Sequence, residues 1–273
     1  MIQTITEMMS HIFIQRAVLV GTLISLCAAL LGVSLVLKRY SMIGDGLSHV
    51  GFGVLTIATA FGFSTPLYIA IPCVTISAII LLKIGNNSKI KSDSAIALIS
   101  SSALAIGVAV TSLTTGMNTD VCNFMFGSIL AMSKQDVYLS IIVSIVIVIL
   151  FVIYYRKLFL VTFDEQFAKA SGLKANRYTN IIAVLTALII VVGMRMMGVM
   201  LISSIIIFPA LTSMRIFKSF KSVVISSGII SVVAFLIGIY LSYIYNISTG
   251  ATIVLVNLVL FILFSIIEKI IHE

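Results

Sequence analysis

The amino-acid sequence predicts an all-α membrane protein with about nine transmembrane helices. Its 273 residues are 60% hydrophobic and 10% charged, and the mean hydropathy is +1.24. About a quarter of the residues in a soluble domain are charged, so this composition is typical of a chain that crosses a membrane many times. Apolar runs close to the length that crosses a bilayer core also recur along the chain. We therefore expect residues 1–273 to form a single transmembrane domain.

Nine apolar segments of 17 to 22 residues are long enough to be spanning helices. An α-helix rises about 1.5 Å per residue, and the hydrocarbon core is about 30 Å thick. The predicted spans are Ala17–Leu37, Ser41–Phe61, Pro66–Leu82, Ala95–Leu113, Val137–Tyr154, Tyr178–Met194, Met197–Met214, Ser222–Tyr243 and Thr249–Ile267. The sixth and seventh spans come from one apolar stretch about twice as long as a single span. We therefore expect two helices there, with a turn near Arg195.

Positive charges are distributed unevenly between the two predicted sides of the membrane. When the loops are numbered alternately, one set holds all of the 17 lysines and arginines except Arg16, Lys134 and Arg195. Loops rich in lysine and arginine stay in the cytoplasm, so this bias predicts an outer N-terminus and a cytoplasmic C-terminus. It also explains the sequence pI of about 9.5 without a nucleic-acid partner.

The predicted cytoplasmic loop at about residues 156–177 mixes charged and apolar side chains. Phe163 and Phe167 are one helical turn apart, and Gly172 is a typical stop signal. These features predict a short amphipathic helix over Phe163–Leu173. Such a helix either lies on the membrane surface or docks to a partner.

The predicted outer connection Thr114–Asp136 contains a second apolar segment, Asn123–Met132. Ten residues are too few to cross a bilayer. We therefore expect an interfacial or re-entrant helix in this connection.

Two ionisable residues, Asp45 and His49, interrupt the apolar second span. At a spacing of four they lie on the same face of a helix, one turn apart. Counted from Lys38 and Arg39 at the predicted cytoplasmic edge, Asp45 lies about 9 Å along the helix. His49 lies about 15 Å along it, near the membrane midplane. A charged side chain at the bilayer centre costs about 2.5–3.5 kcal/mol on insertion scales. Packing alone therefore does not account for this pair.

The residue types leave three roles open for Asp45 and His49. A carboxylate oxygen and an imidazole nitrogen suit zinc, manganese or iron(II), and two ligands fit a transit site better than a tight structural site. The same pair also suits a proton relay, or a hydrogen bond that neutralises both groups. Ser48 points about 100° away from His49 on a helix, which argues against a Ser–His–Asp catalytic arrangement. Ser48 stays a candidate for a structural or path residue.

The chain carries no motif for nucleotide binding or hydrolysis. It has no G-x-x-x-x-G-K-[ST] phosphate loop and no H-E-x-x-H, and its three histidines are His11, His49 and His272. An intramembrane metallohydrolase would need a fuller ligand set and a base. We therefore expect a protein that is not an enzyme and that holds no permanently bound cofactor.

Two residues of the sixth and seventh spans are structural or path candidates. Arg195 is expected to snorkel to the outer interface if both spans are full-length, and to pair with an acid or with carbonyl groups if they are re-entrant. Pro209 is expected to kink the seventh span and to free a backbone carbonyl that could line a path.

Four motifs follow one another along nearly the whole chain. They are Arg39-x-Ser41 with Gly44-Asp-Gly-Leu-Ser-His49, Phe126-Gly-Ser-Ile-Leu130, Phe163-Asp164-Glu165 with Ala168 and Gly172, and Gly198-Val-Met-Leu201 with Pro209-Ala210. In this order they resemble the permease subunits of ATP-binding-cassette importers for zinc, manganese and iron.

The resemblance implies a type II importer with two permease chains, two cytoplasmic ATPase subunits and an extracytoplasmic metal-binding protein. It implies that Asp45 and His49 lie along the metal path, and that the partner ATPase binds ATP. The coupling helix that docks to the ATPase would then include Phe163, Asp164, Glu165, Phe167, Ala168 and Gly172.

The resemblance further implies a homodimeric permease of a bacterial or archaeal plasma membrane that imports a divalent metal by alternating access. Zinc is expected first, because an Asp/His pair without a dense carboxylate set suits it, and manganese or iron(II) follow. The alternative is a proton-coupled secondary metal transporter in which Asp45 and His49 form the relay.

Overall fold

The computed structural model describes residues 7–63, 65–87, 92–114, 124, 125, 127 and 133–272. Ten helices have both of their ends within these residues. They are α1 (Ile12–Leu37), α2 (Met42–Ala60), α3 (Leu67–Asn87), α4 (Ser92–Leu113), α5 (Lys134–Phe163), α6 (Glu165–Ala170), α7 (Ala175–Met197), α8 (Val199–Ile216), α9 (Phe220–Tyr245) and α10 (Thr249–His272).

Each of the nine predicted spans coincides with one of these helices, so the all-α membrane fold is confirmed. Eight helices in the described part of the chain are long and apolar enough to cross a membrane. The other long helix is α2, which has 19 residues and carries Asp45 and His49. The exact number of membrane crossings stays a prediction. The predicted outer segment Asn123–Met132 lies outside the described residues, apart from Phe124, Met125 and Gly127.

Helix α5 is much longer than the predicted span, which ended at Tyr154. It has 30 residues and continues to Phe163. Charged residues such as Arg156 end the apolar run but do not end a helix, which needs a breaker or a cap to stop. Phe159 and Phe163 both pack against the ring of Phe220, at the start of α9, with centroid distances of 5.1 and 5.9 Å. The connection from α5 to α7 is therefore shorter than predicted.

The sixth and seventh predicted spans are two full-length helices. Helices α7 and α8 have 23 and 18 residues, and they meet at Gly198 rather than at Arg195. Gly198 has a φ of +85°, a left-handed conformation that glycine adopts without steric cost. Gly127 of the outer connection lies against the backbone of Met197 and Gly198. The described part of the structure thus shows a sharp break in place of a re-entrant loop between these spans.

Helix α2 lies in the middle of the helix bundle. It packs most extensively against α4 and also contacts α3, α7 and α8. Helices α1 and α7 are mostly buried, whereas most of α4, α5 and α10 is exposed and apolar, as lipid-facing helices are. The helix that carries Asp45 and His49 is therefore held by neighbours on several sides.

Ion pairs join the ends of helices that the alternating loop assignment places on the same side. The Nζ of Lys38, after α1, lies 3.2 Å from Oε2 of Glu165 in α6. Arg215, at the end of α8, lies 3.2 Å from Glu268 in α10. Both pairs connect segments that were predicted to be cytoplasmic. Which side of the membrane is the cytoplasm stays a prediction from the charge bias.

Candidate functional site

Asp45 and His49 lie on a narrow exposed stripe of α2. In the first three turns of this helix, the residues that are not buried are Met42, Asp45 and His49, which follow one another at helical spacing. The residues between them are packed against other helices, and they are Ile43, Gly44, Gly46, Leu47, Ser48 and Val50. The predicted pair therefore faces away from the packed interior of this single chain.

The side chains of Asp45 and His49 are close to each other but form no hydrogen bond with each other. His49 Nε2 lies 3.7 Å from Asp45 Oδ2, which is longer than a normal hydrogen bond. The imidazole is 20% exposed and the carboxylate 41% exposed. Among the described residues, the buried Nδ1 of His49 has no hydrogen-bond partner. The pair thus offers an oxygen and a nitrogen that are both available to a metal ion or a proton.

One chain supplies too few ligands for a closed metal site. The residues that the structure describes contain no group of three or more His, Cys, Asp and Glu side chains close enough to hold a metal. A tetrahedral site needs four ligands. Any metal at Asp45 and His49 must therefore take further ligands from water, a second chain or another protein.

The structure defines the position of this pair relative to the start of α2. Residues 38–41 form a turn, and α2 begins at Met42, with Asp45 in its first turn. Counted from Met42, Asp45 lies about 4.5 Å and His49 about 10.5 Å along the helix axis. The predicted depths of about 9 and 15 Å were counted from the charged membrane edge at Lys38 and Arg39, and they stay predictions.

Ser48 is a structural contact within the bundle. It is buried, and its hydroxyl donates to the Asp45 carbonyl at 2.8 Å and lies 3.2 Å from Ser203 Oγ in α8. Pro209 is buried inside α8, the same helix that Ser48 contacts. Ser48 is therefore not part of the exposed stripe of α2, and its hydroxyl joins α2 to α8.

Arg195 forms an ion pair, although both of its helices are full-length. Its Nη1 lies 3.2 Å from Oδ1 of Asp136, at the start of α5. Pairing with an acid was expected only for re-entrant spans, so the structure shows it in the case for which it was not predicted. An acid is present at this level because α5 begins at Lys134, and Asp136, the third residue of the helix and part of its capping box, contacts Arg195 of α7.

The predicted coupling helix is present but shorter than expected. It consists of the six residues Glu165–Ala170, and Asp164 caps it by accepting from the Phe167 amide at 2.8 Å. Phe163 belongs to α5 instead, because the chain is extended at Asp164 between the two helices. The predicted stop is confirmed, since Gly172 follows the helix with a φ of +80°.

Helix α6 has one buried and one exposed side. Ala168 is fully buried and packs with Val161 of α5 and Ala175 of α7. Phe167 is 58% exposed, and Phe163 beside it is also exposed. An exposed phenylalanine on a short helix outside the bundle is a typical anchor for a partner protein.

Sequence reasoning missed the residues that hold α6 against the bundle. Lys38 Nζ contacts Glu165 and also donates to Thr179 Oγ1 at 2.8 Å, and Glu165 Oε1 lies 2.8 Å from Lys169 Nζ. Lys38 had been counted as one more loop charge. Because 127 positions separate Lys38 from Glu165, no local pattern connects them.

The pKa values of both residues follow from this arrangement. Burial lowers the pKa of the Lys38 ammonium group, and the charge of Glu165 offsets part of this effect. Burial would raise the pKa of Glu165, but the hydrogen bonds and charges of Lys169 and Lys38 together lower it. Glu165 is therefore held as a carboxylate between two cations.

Comparisons with known proteins agree with this architecture. The model of the ABC 3 transport family matches residues 10–268. The chain belongs to this family. The resemblance to permease subunits of ATP-binding-cassette transporters is thus confirmed, and with it a multi-pass membrane protein that is not itself an enzyme.

Relatives and a solved structure cover nearly the whole chain. The manganese import system permease protein ScaB of Streptococcus gordonii is 32% identical over 250 residues, which are 92% of this chain and 89% of that protein. The high-affinity zinc uptake system membrane protein ZnuB of Haemophilus influenzae is 31% identical over 249 residues, covering 90% and 94%. A chain in the structure of PsaBC from Streptococcus pneumoniae in complex with a Fab superimposes with a TM-score of 0.86 at 31% identity, covering 97% of this chain and 95% of that one.

Proposed function

We propose that this chain is the membrane subunit of an importer that carries a divalent transition metal, zinc or manganese, into the cytoplasm. The observation that carries the proposal is the exposed stripe of α2, where Asp45 and His49 each keep free ligand atoms. A carboxylate facing lipid would be costly, so this stripe must line a polar path or meet another polypeptide. Relatives named for manganese and for zinc support both metals.

The proposed importer contains two copies of this chain. If the α2 stripes of two chains face each other, two aspartates and two histidines would supply the four ligands of one shared site. Such a site would suit transit, because it forms and opens as the chains move relative to each other. Zinc remains the first expectation from the mixed oxygen and nitrogen ligands, with manganese next.

In this proposal, a separate ATPase docks to α6 and an extracytoplasmic binding protein delivers the metal. The exposed Phe167 supports the first contact. ATP would be bound and hydrolysed by the partner, since this sequence has no phosphate loop.

The deciding experiment is element-resolved uptake in cells with and without this chain, using the Asp45→Asn variant as a control that preserves side-chain shape. Accumulation of zinc or manganese that requires both the chain and Asp45 is expected. Unchanged content of all transition metals would refute the proposal. Uptake that persists without ATP hydrolysis and collapses with a protonophore would favour the proton-coupled alternative.

The shared site has its own test. In a His49→Cys variant, oxidation should cross-link two copies of the chain if the stripes face each other. Failure to cross-link, in a variant that still assembles with the ATPase, would indicate one path in each subunit.

A further inference from the structure

The ion pair between Lys38 and Glu165 joins helix α6 to the turn that leads into α2. Lys38 follows α1, Glu165 begins α6, and Thr179 lies in α7, so the contacts of the Lys38 ammonium group connect three helices. The side chain of Lys38 is only 7% exposed and that of Glu165 27%. A charge this deeply buried is costly without its partner, so the pair is expected to stay together when α6 moves.

Backbone hydrogen bonds hold the turn that carries Lys38 in one conformation. The Tyr40 amide donates to the Leu35 carbonyl at 2.8 Å and the Arg39 amide to the Val36 carbonyl at 3.0 Å. Arg39 has a φ of +60°, so these bonds form a Schellman motif with arginine at the position that usually holds glycine. A non-glycine residue in this conformation persists only when its surroundings fix it.

Helix α2 starts directly after this turn. The Ile43 amide already donates to the Tyr40 carbonyl at 3.0 Å. Asp45 lies one turn further, on the exposed stripe. The chain therefore contains no flexible segment between Lys38 and the helix that carries the candidate metal ligands.

The two sides of α6 suit two different contacts. Phe167 points outward, where the proposed ATPase would dock, whereas Glu165 contacts Lys38. The charge of Glu165 also contributes to a raised pKa of the Tyr40 hydroxyl, after burial as the main cause. Glu165 is thus close to two residues of the same turn.

We propose that the Lys38–Glu165 pair transmits the displacement of α6 to the first turn of α2, and so couples ATPase movement to the Asp45/His49 stripe. Both residues act by positioning α2 and do not contact the metal. This inference rests on the proposed function, because it requires an ATPase that docks to α6.

The test is the amount of metal transported per ATP hydrolysed, measured on the complex of this chain with its ATPase and binding protein in liposomes. Glu165→Gln should lower this ratio at least about fivefold, the lower end of typical coupling between sites. The amount of ATPase that co-purifies should not change. Lys38→Met should lower the ratio to a similar degree without leaving a buried charge unpaired. It therefore serves as the second variant if Glu165→Gln fails to fold.

The double variant Lys38→Met/Glu165→Gln distinguishes one link from two independent effects. If both residues act in the same step, their effects should not add. The amount of metal that the double variant transports per ATP should then be no lower than that of the more impaired single variant. Glu268→Gln is the matched control, because it removes the Arg215–Glu268 pair, which has the same 3.2 Å separation but does not involve α6. Its ratio should equal that of the wild type.

Three results would overturn the link. These are an unchanged ratio in Lys38→Met or Glu165→Gln, losses that multiply in the double variant, or loss of ATPase co-purification, which would make Glu165 a docking residue. A wild-type complex that transports no metal would instead refute the proposed function. The two proposals can therefore fail separately.

Discussion

Arg195 and Asp136 form an ion pair that fixes the last turn of α7 to the first turn of α5. Arg195 Nη1 lies 3.2 Å from Asp136 Oδ1, while Asp136 Oδ2 accepts from the Ser133 amide at 3.0 Å as part of a capping box. The two side chains are 24% and 12% exposed. Because α5 and α7 are the helices that flank α6, this pair fixes their ends opposite the candidate coupling helix.

Replacement of Arg195 should therefore destabilise the helix bundle. Arg195→Gln leaves the largely buried Asp136 carboxylate without its cation, and we expect a loss of about 1–3 kcal/mol in the free energy of unfolding. Thermal unfolding of the purified protein in detergent measures this loss. Glu268→Gln, which breaks the more exposed pair with Arg215, should cost less than about 1 kcal/mol. Equal losses in the two variants would contradict the structural role of Arg195.

The sequence allowed the helices to be predicted well because membrane spans are a local property. Length and hydropathy decide whether a segment spans, and both are read within one segment of about twenty residues. The ends were less accurate, since the break at Gly198 and the extension of α5 to Phe163 depend on packing. The partner of Arg195, 59 positions away, depends on packing in the same way.

In the candidate site, too, local sequence predicted some features, whereas others depend on packing. The spacing of Asp45 and His49 was enough to place both on one face of α2. Their exposure away from the packed interior was not predictable, because it depends on which helices surround α2. The remaining ligands of a metal site cannot be read from one sequence if they belong to another chain.

The glycines of α2 differ in how much space a larger side chain would have. Two of them form a matched pair for testing this difference. A Cβ at Gly53 would lie 2.7 Å from the Ala103 carbonyl oxygen of α4, whereas one at Gly44 would make an ordinary contact of 3.5 Å with Ile206. Gly53→Ala should force α2 and α4 apart and cost about 1–3 kcal/mol. Gly44→Ala should cost nothing, because alanine favours the helix. Thermal unfolding compares the two, and equal stability would show that α2 and α4 are not closely packed at Gly53.

The lowered pKa of Glu165 predicts a pH dependence of stability. A carboxyl group whose pKa is lower in the folded state stabilises that state above its ordinary pKa of 4.5, and this contribution is lost as the pH falls through the folded pKa. The melting temperature of the wild type should therefore exceed that of Glu165→Gln at pH 7. The difference should shrink below about pH 4.5. A difference that stays constant down to pH 3 would mean that Glu165 does not titrate in contact with Lys38 and Lys169.

Phe167 offers a test of ATPase docking that leaves the bundle intact. Its ring is 58% exposed, so Phe167→Asp should not lower the melting temperature of the chain. It should nevertheless reduce co-purification of the ATPase about tenfold or more, because burying a carboxylate in an apolar contact is costly. Phe167→Leu keeps an apolar side chain and should retain binding. Full co-purification of the Phe167→Asp variant would exclude α6 as the docking site.

His49 is the residue whose removal most directly tests the path. If its unpartnered Nδ1 or its Nε2 binds the metal in transit, His49→Ala should lower metal uptake at least about tenfold, since loss of even an outer partner of a metal ligand costs that much. Assembly with the ATPase should survive, because His49 lies on α2 and not on α6, where the proposed ATPase docks. His11→Ala is the matched control, as His11 is exposed before α1 and away from the stripe. Wild-type metal uptake by the His49→Ala variant would show that His49 is not part of the metal path. Asp45 would then lack its nearest partner in that path.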